Sequence, residues 1–121
     1  MKKSPMEVFQ AFGQGLMSGT DSWKDVVANN VTFKGPIDQV NTLEAFASLN
    51  EKFMPMMKNN QVKQVLEAGN FVITQVMWDL AMPSGNTVQL DMTEWYEIKD
   101  EKIQNIKVYY DAEELRKEMN K

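Results

Sequence analysis

A chain of 121 residues with 43% hydrophobic and 25% charged side chains is long enough for one core and too apolar to stay disordered, so a single domain spanning 1–121 is expected. The 13 basic residues are outnumbered by 17 acidic ones, which leaves no excess of cations for a phosphate backbone, and nucleic acid is not an expected partner. The chain contains neither cysteine nor histidine, which excludes disulfides, thiolate chemistry, Ser–His triads and most transition-metal sites, and no cofactor or metal is expected.

The N-terminal region, Met1 to Pro5, leads into an amphipathic stretch and not into an apolar core with a small-residue cleavage site, and no apolar run approaches the ~20 residues of a membrane span. A cytoplasmic protein without membrane contact is the expectation. Ser4, Pro5 and Glu7 form a capping box with proline at the first helical position. Val8, Phe9, Phe12 and Leu16 then recur at helical spacing, Gly13 and Gly15 weaken the helix or admit a close neighbour, and Gly19 fits its stop. Thr20 to Ser22 cap a short helix carrying Trp23, Val26 and Val27, which Asn29 and Asn30 should end. Val31 to Lys34 reads as a short strand closed by Gly35-Pro36.

Asn41 and Glu44 have capping-box spacing for a third helix with a stripe of Leu43, Phe46, Leu49 and Phe53, which Pro55 should bend or end. The period then changes. Strands are predicted over 61–68, 71–81, 87–98 and 103–110, with turns at Gly69-Asn70, at Pro83 to Asn86 and at Asp100-Glu101. Asp111 and Glu114 have the spacing to open a C-terminal helix containing Leu115 and Met119. Helices followed by an antiparallel meander predict an α+β fold with helices on one face of a curved sheet.

The strand over 71–81 is apolar on both parities. Ile73, Gln75 and Met77 are assigned to the inner face, with Val72, Val76 and Trp78 on the other. The strand over 87–98 turns Leu90, Met92, Glu94 and Tyr96 inward and Trp95 outward. An outer face holding Val76, Trp78 and Trp95 carries too much aromatic area to leave in water, so a homodimer through that face is expected; a segment of the chain folding over it is the alternative. A protein-recognition surface built on Trp78 and Trp95 is a weaker third option.

The order of these features resembles the nuclear transport factor 2-like superfamily, and within it the SnoaL-like and ketosteroid isomerase-like branch. The residues that carry the likeness are Phe9 to Phe12 with Leu16 and Gly19, then Val26 to Phe33, Gly35-Pro36, Leu43 to Phe46, and Ile106 to Asp111. The resemblance covers essentially the whole chain. It implies a cone-shaped curved antiparallel sheet wrapped by N-terminal helices, an apolar cavity at its wide end, and frequent dimers.

The catalytic positions of that branch transfer poorly. The ketosteroid isomerase tyrosine falls at Phe12 and the general-base aspartate at Gly35, while the second acid falls near Glu94. The arginine and first aspartate of the limonene epoxide hydrolase pattern fall at Gln75 and Met77, and its second aspartate at Val108. SnoaL-type cyclisation without histidine would need Glu94 or Asp38 alone.

Glu94 is therefore the catalytic candidate, since a carboxyl in an apolar cavity is desolvated and suited to proton transfer. Phe12, Phe33, Phe53, Met57, Gln75, Met77, Met92, Tyr96, Val108 and Tyr110 are the candidate ligand-binding residues, with methionines supplying an adaptable wall. Two functions follow. The first is binding of an apolar or amphipathic small molecule, with isomerase- or cyclase-like proton transfer through Glu94 and no cofactor. The second is a non-catalytic dimeric scaffold or accessory module whose cavity is filled by its own side chains.

Overall fold

The computed structural model describes residues 2–121. Helix α1 (Pro5–Ser18) begins as its sequence dictates: the Ser4 hydroxyl accepts from the Glu7 N–H, and the Glu7 carboxylate accepts from the Ser4 N–H. Gly19 ends it in the left-handed conformation, φ 74°. The next segment is a tight 3-10 helix over Asp21–Val26, capped by Thr20, and Val27 already belongs to strand β1 (Val27–Lys34). The expected stop at Asn29 and Asn30 is thus absent; both are exposed strand residues between the buried Ala28 and Val31. They fall in a register irregularity of β1 between Val27 and Thr32, the residues that pair with β6 on either side.

Gly15 is the glycine that packing requires. A Cβ there would sit 2.7 Å from the Trp23 backbone nitrogen, so α1 and the 3-10 helix are in direct backbone contact.

A two-residue strand β2 (Gln39–Val40), not foreseen from the sequence, pairs with the end of β1. Helix α2 (Leu43–Phe53) is capped by Thr42, whose hydroxyl accepts from the Ala45 N–H; Asn41 lies one position too early to do so. Pro55 ends the helix as expected, in a 3-10 turn over Met54–Met56. Strands β3 (Met57–Ala68), β4 (Phe71–Ala81), β5 (Thr87–Lys99) and β6 (Lys102–Tyr109) form the meander, β3 starting four residues earlier than the sequence suggests. Helix α3 (Glu113–Met119) closes the chain. Asp111 accepts from the Glu113 N–H at 3.0 Å, while Ala112 occupies the cap position and no box with Glu114 forms.

The six strands lie in the order β2-β1-β6-β5-β4-β3 in one curved, unclosed sheet. All neighbours are antiparallel except β1 and β6, which run parallel. The meander is antiparallel as expected, and β1 joins it in parallel: β1 precedes the meander and meets it only after a long crossover through α2, so no hairpin sets its direction. The core fills the concave side. Phe46 of α2 stacks on Phe12 of α1, meets Trp23 edge-on at 5.8 Å and lies 5.7 Å from Phe33 of β1. Aromatic contacts of this kind add to the burial energy and tie both long helices to the sheet.

Candidate functional site

Cross-strand register decides which residues face the helices. Along the β4–β5 hairpin every pairing joins residues of like parity, so even numbers meet even: Val72 with Tyr96, Thr74 with Glu94, Val76 with Met92, Trp78 with Leu90. Directly opposed residues share a face. The unambiguous alternation of β5, with Val88, Leu90, Met92, Tyr96 and Ile98 buried, therefore turns the even residues of β4 inward as well.

This corrects the face assignment made from β4 alone. Gln75 and Met77 lie on the outer face and take no part in the cavity, whereas Val76 and Trp78 line it. Trp78 and Trp95 consequently lie on opposite faces, and no surface holds both.

The resulting cavity has a volume of about 330 Å³. Of the residues expected to line it, Phe12, Phe33, Phe53, Met57, Met92, Glu94, Tyr96, Val108 and Tyr110 do so. Sequence reasoning missed Thr74, Trp78 and Asn50. Thr74 and Trp78 could have been found by carrying the β5 parity across the Pro83 to Asn86 turn; Asn50 carried no signal beyond being a polar residue one turn after Phe46. Among the described residues, no lysine or arginine lines the cavity. Its rim holds Met17, Met54 and Val62, all exposed apolar side chains.

Glu94 sits in the row Val65–Thr74–Glu94–Val108, which crosses four strands of the concave wall. The Thr74 hydroxyl, itself buried, donates to Glu94 Oε1 at 2.8 Å. The Tyr96 hydroxyl interacts with the same carboxyl from one residue pair away. Burial pushes the Glu94 carboxyl above its ordinary value, and the hydrogen bonds from Thr74 and Tyr96 only partly oppose this. Burial, with the neighbouring Glu94 charge, raises the Tyr96 hydroxyl far beyond the physiological range, so it remains a neutral donor. Glu94 takes part in no ion pair among the described residues.

A second polar region lies where the loop after β1 meets the end of β6. Tyr110 is pushed up to about 12, chiefly by burial and further by Asp38, with Arg116 opposing. Arg116 donates to the Pro36 carbonyl at 2.8 Å and the Gly35 N–H donates to the Asp38 carbonyl at 2.8 Å, so this loop is tied to α3 and closed on itself. Asp38 lines the cavity along with Tyr110.

The site is thus an apolar hollow with a few convergent polar groups, built on the concave face of a curved α+β sheet. A family model for the SnoaL-like domain matches residues 7–106, and the chain belongs to that family. No curated protein matches the sequence. Solved structures match over nearly the full length. One is a nuclear transport factor 2-like protein of unknown function from Cytophaga hutchinsonii, 21% identical, with TM-score 0.79, covering 96% of this chain and 97% of that one. A candidate SnoaL-like polyketide cyclase from Jannaschia sp. CCS1 is 13% identical, with TM-score 0.77 and coverages of 94% and 90%. An epoxide hydrolase of the LEH-like type from M. tuberculosis is 15% identical, with TM-score 0.75 and coverages of 96% and 89%. At these identities the likeness establishes the nuclear transport factor 2-like fold alone. No helix among the described residues is long and apolar enough to cross a membrane.

Proposed function

We propose that the cavity binds a neutral, largely apolar small molecule bearing a carbonyl oxygen, and that Glu94 exchanges a proton with it. The observation that carries this reading is a desolvated carboxyl without a cationic partner, set in the apolar wall of a cavity of about 330 Å³. That volume falls within the ~300–1,000 Å³ of small-molecule sites, which favours a bound ligand over an interior filled by its own side chains. In its neutral form Glu94 donates a hydrogen bond to the carbonyl; in its ionised form it accepts a proton from the adjoining carbon. Desolvation brings the two forms nearer to balance at neutral pH than in a solvated glutamate. Cofactor-independent isomerase- or cyclase-like chemistry is the reaction class this supports, in line with the cyclase description of the Jannaschia relative.

The test uses 1-decalone, a bicyclic ketone, followed by NMR in D₂O. Binding and faster exchange of the protons beside the carbonyl are expected. Glu94→Gln keeps a donor but cannot ionise, so it should bind within about threefold and lose the acceleration. Binding without acceleration in the wild type would reduce the function to ligand capture; no binding would remove the reading and leave the non-catalytic scaffold.

The outer sheet face supports a separate proposal, a homodimer. Leu66, Ile73 and Trp95 are consecutive cross-strand partners, and Phe71 meets Trp95 edge-on at 5.9 Å. Leu66 is 49% and Trp95 40% exposed. Of the residues first expected in this interface only Trp95 faces outward; Val76 and Trp78 face the cavity. Sedimentation should give twice the chain mass for the wild type and a monomer for Trp95→Glu; a monomeric wild type would refute the pairing.

A further inference from the structure

Asn50 is a polar residue on the cavity side of α2, between Leu49 and Phe53 in the helical part of the wall. Its side-chain nitrogen, Nδ2, is buried and has no hydrogen-bond partner among the described residues. A buried donor left unpaired is costly, and native structures seldom keep one without a use. Nothing in the helix requires it. The Asn50 carbonyl already accepts from the Met54 N–H at the helix end, so the backbone closes α2 without the side chain. Asparagine is also a poorer helix former than leucine, and a leucine would suit the apolar neighbours. Asn50 lines the cavity, so rotation of its amide brings this donor to an acceptor held there.

We infer that Asn50 is a second recognition point: its amide donates to one oxygen of the bound molecule from the helical wall, while Glu94 donates to another from the sheet wall. This rests on the ligand-binding reading of the same cavity and narrows the ligand to a class. Two donors call for two acceptor oxygens. An anionic ligand would face Asp38 and Glu94 with no lysine or arginine to offset them. A purely cationic group carries no acceptor and would leave the N–H of Asn50 unsatisfied. The class that remains is a neutral, mostly apolar molecule with two separated carbonyl-type oxygens, a diketone or its equivalent. Glu94 acts at one carbonyl and Asn50 fixes the orientation by holding the other, so Asn50 is a specificity-determining residue.

Calorimetry with decalin-1,5-dione and 1-decalone tests this on the whole chain. The dione should bind the wild type more tightly than the monoketone, by about fivefold to tenfold, one hydrogen bond's worth. Asn50→Leu should remove that advantage. The monoketone should lose less than about twofold in Asn50→Leu, because Glu94 still holds its one carbonyl.

The free Asn50→Leu protein should also melt higher, by roughly 3 °C, because an unpaired buried donor has gone. A preference for the dione that survives Asn50→Leu overturns the inference, even where binding and Glu94-dependent exchange stand. A lower melting temperature in that variant overturns it too, since the amide would then be holding the fold. If neither ketone binds the wild type, both the inference and the reading beneath it fall.

Discussion

Glu94 in the concave wall and Glu118 at the end of α3 carry the same carboxyl group, and their surroundings move it in opposite directions. Glu94 loses water and gains two hydroxyl neighbours, and its carboxyl is raised. Glu118 accepts from the Ser84 hydroxyl at 2.6 Å, from Asn86 Nδ2 at 2.9 Å and from Lys121 Nζ at 2.9 Å, and is lowered to about 2. The lesson is that the balance decides: three donors, one of them a lysine, outweigh what Glu118 loses in hydration, whereas two hydroxyls do not outweigh burial at Glu94. Glu118 is structural, tying the β4–β5 turn to the C-terminal helix. Glu94 is costly in its charged form and contributes nothing to packing that leucine could not.

The comparison can be broken most strongly from the cavity side. Phe46→Ala removes the ring on which Phe12, Trp23 and Phe33 converge, and should destabilise by about 3–5 kcal/mol in chemical denaturation. Gly15→Ala forces a methyl into the Trp23 backbone and should cost about 1–3 kcal/mol. Thr74→Val keeps the shape, deletes the donor to Glu94, and should cost about 1 kcal/mol near neutral pH. It should also raise the Glu94 carboxyl further, which NMR titration would reveal as a later ionisation.

The pH dependence separates the two carboxyls by sign. A raised acid in the folded state stabilises the protein below its unfolded value, near 4.5, and that stability is lost as pH rises through the folded value. Glu94→Gln should flatten this falling limb in urea melts run at a series of pH values. For Glu118 the stabilisation is present above about 4.5 and lost as pH falls toward about 2, so Glu118→Gln should flatten the acid limb instead. Identical pH profiles for both variants would show that neither environment acts as described. The smallest effect lies in the β5–β6 turn, where Asp100 and Glu101 have φ of 54° and 58°. Asn-Gly fits those angles with less strain, and the double replacement should stabilise by up to about 1 kcal/mol, seen as a higher melting temperature.

Much of the fold is legible in the chain because its signals are local. The capping box at Ser4 and Glu7, the stop at Gly19, the stripe through Phe46 and the break at Pro55 each involve residues that touch within one or two turns. The β5 alternation likewise identifies Leu90, Met92, Glu94 and Tyr96 as one face. Reading failed where two distant segments decide the outcome. Strand β4 is apolar on both parities, and only its register with β5 turned Thr74 and Trp78 inward and left Gln75 and Met77 outside. Asn29 and Asn30 look like a turn, but they lie in the irregular stretch of β1 between Val27 and Thr32, which pair with β6 on either side.

The sequence by itself determined most of the elements, the α+β class and the family, since periodicity, caps and turn residues act over a few positions. It also removed histidine and cysteine as proton-transfer groups, because the chain contains neither. Only the tertiary structure decided which face of β4 meets the helices, that Thr74 and not lysine holds Glu94, and that Asn50 is left with an unpaired donor. Those are properties of register and enclosure. They arise when separate segments exclude water from the same space.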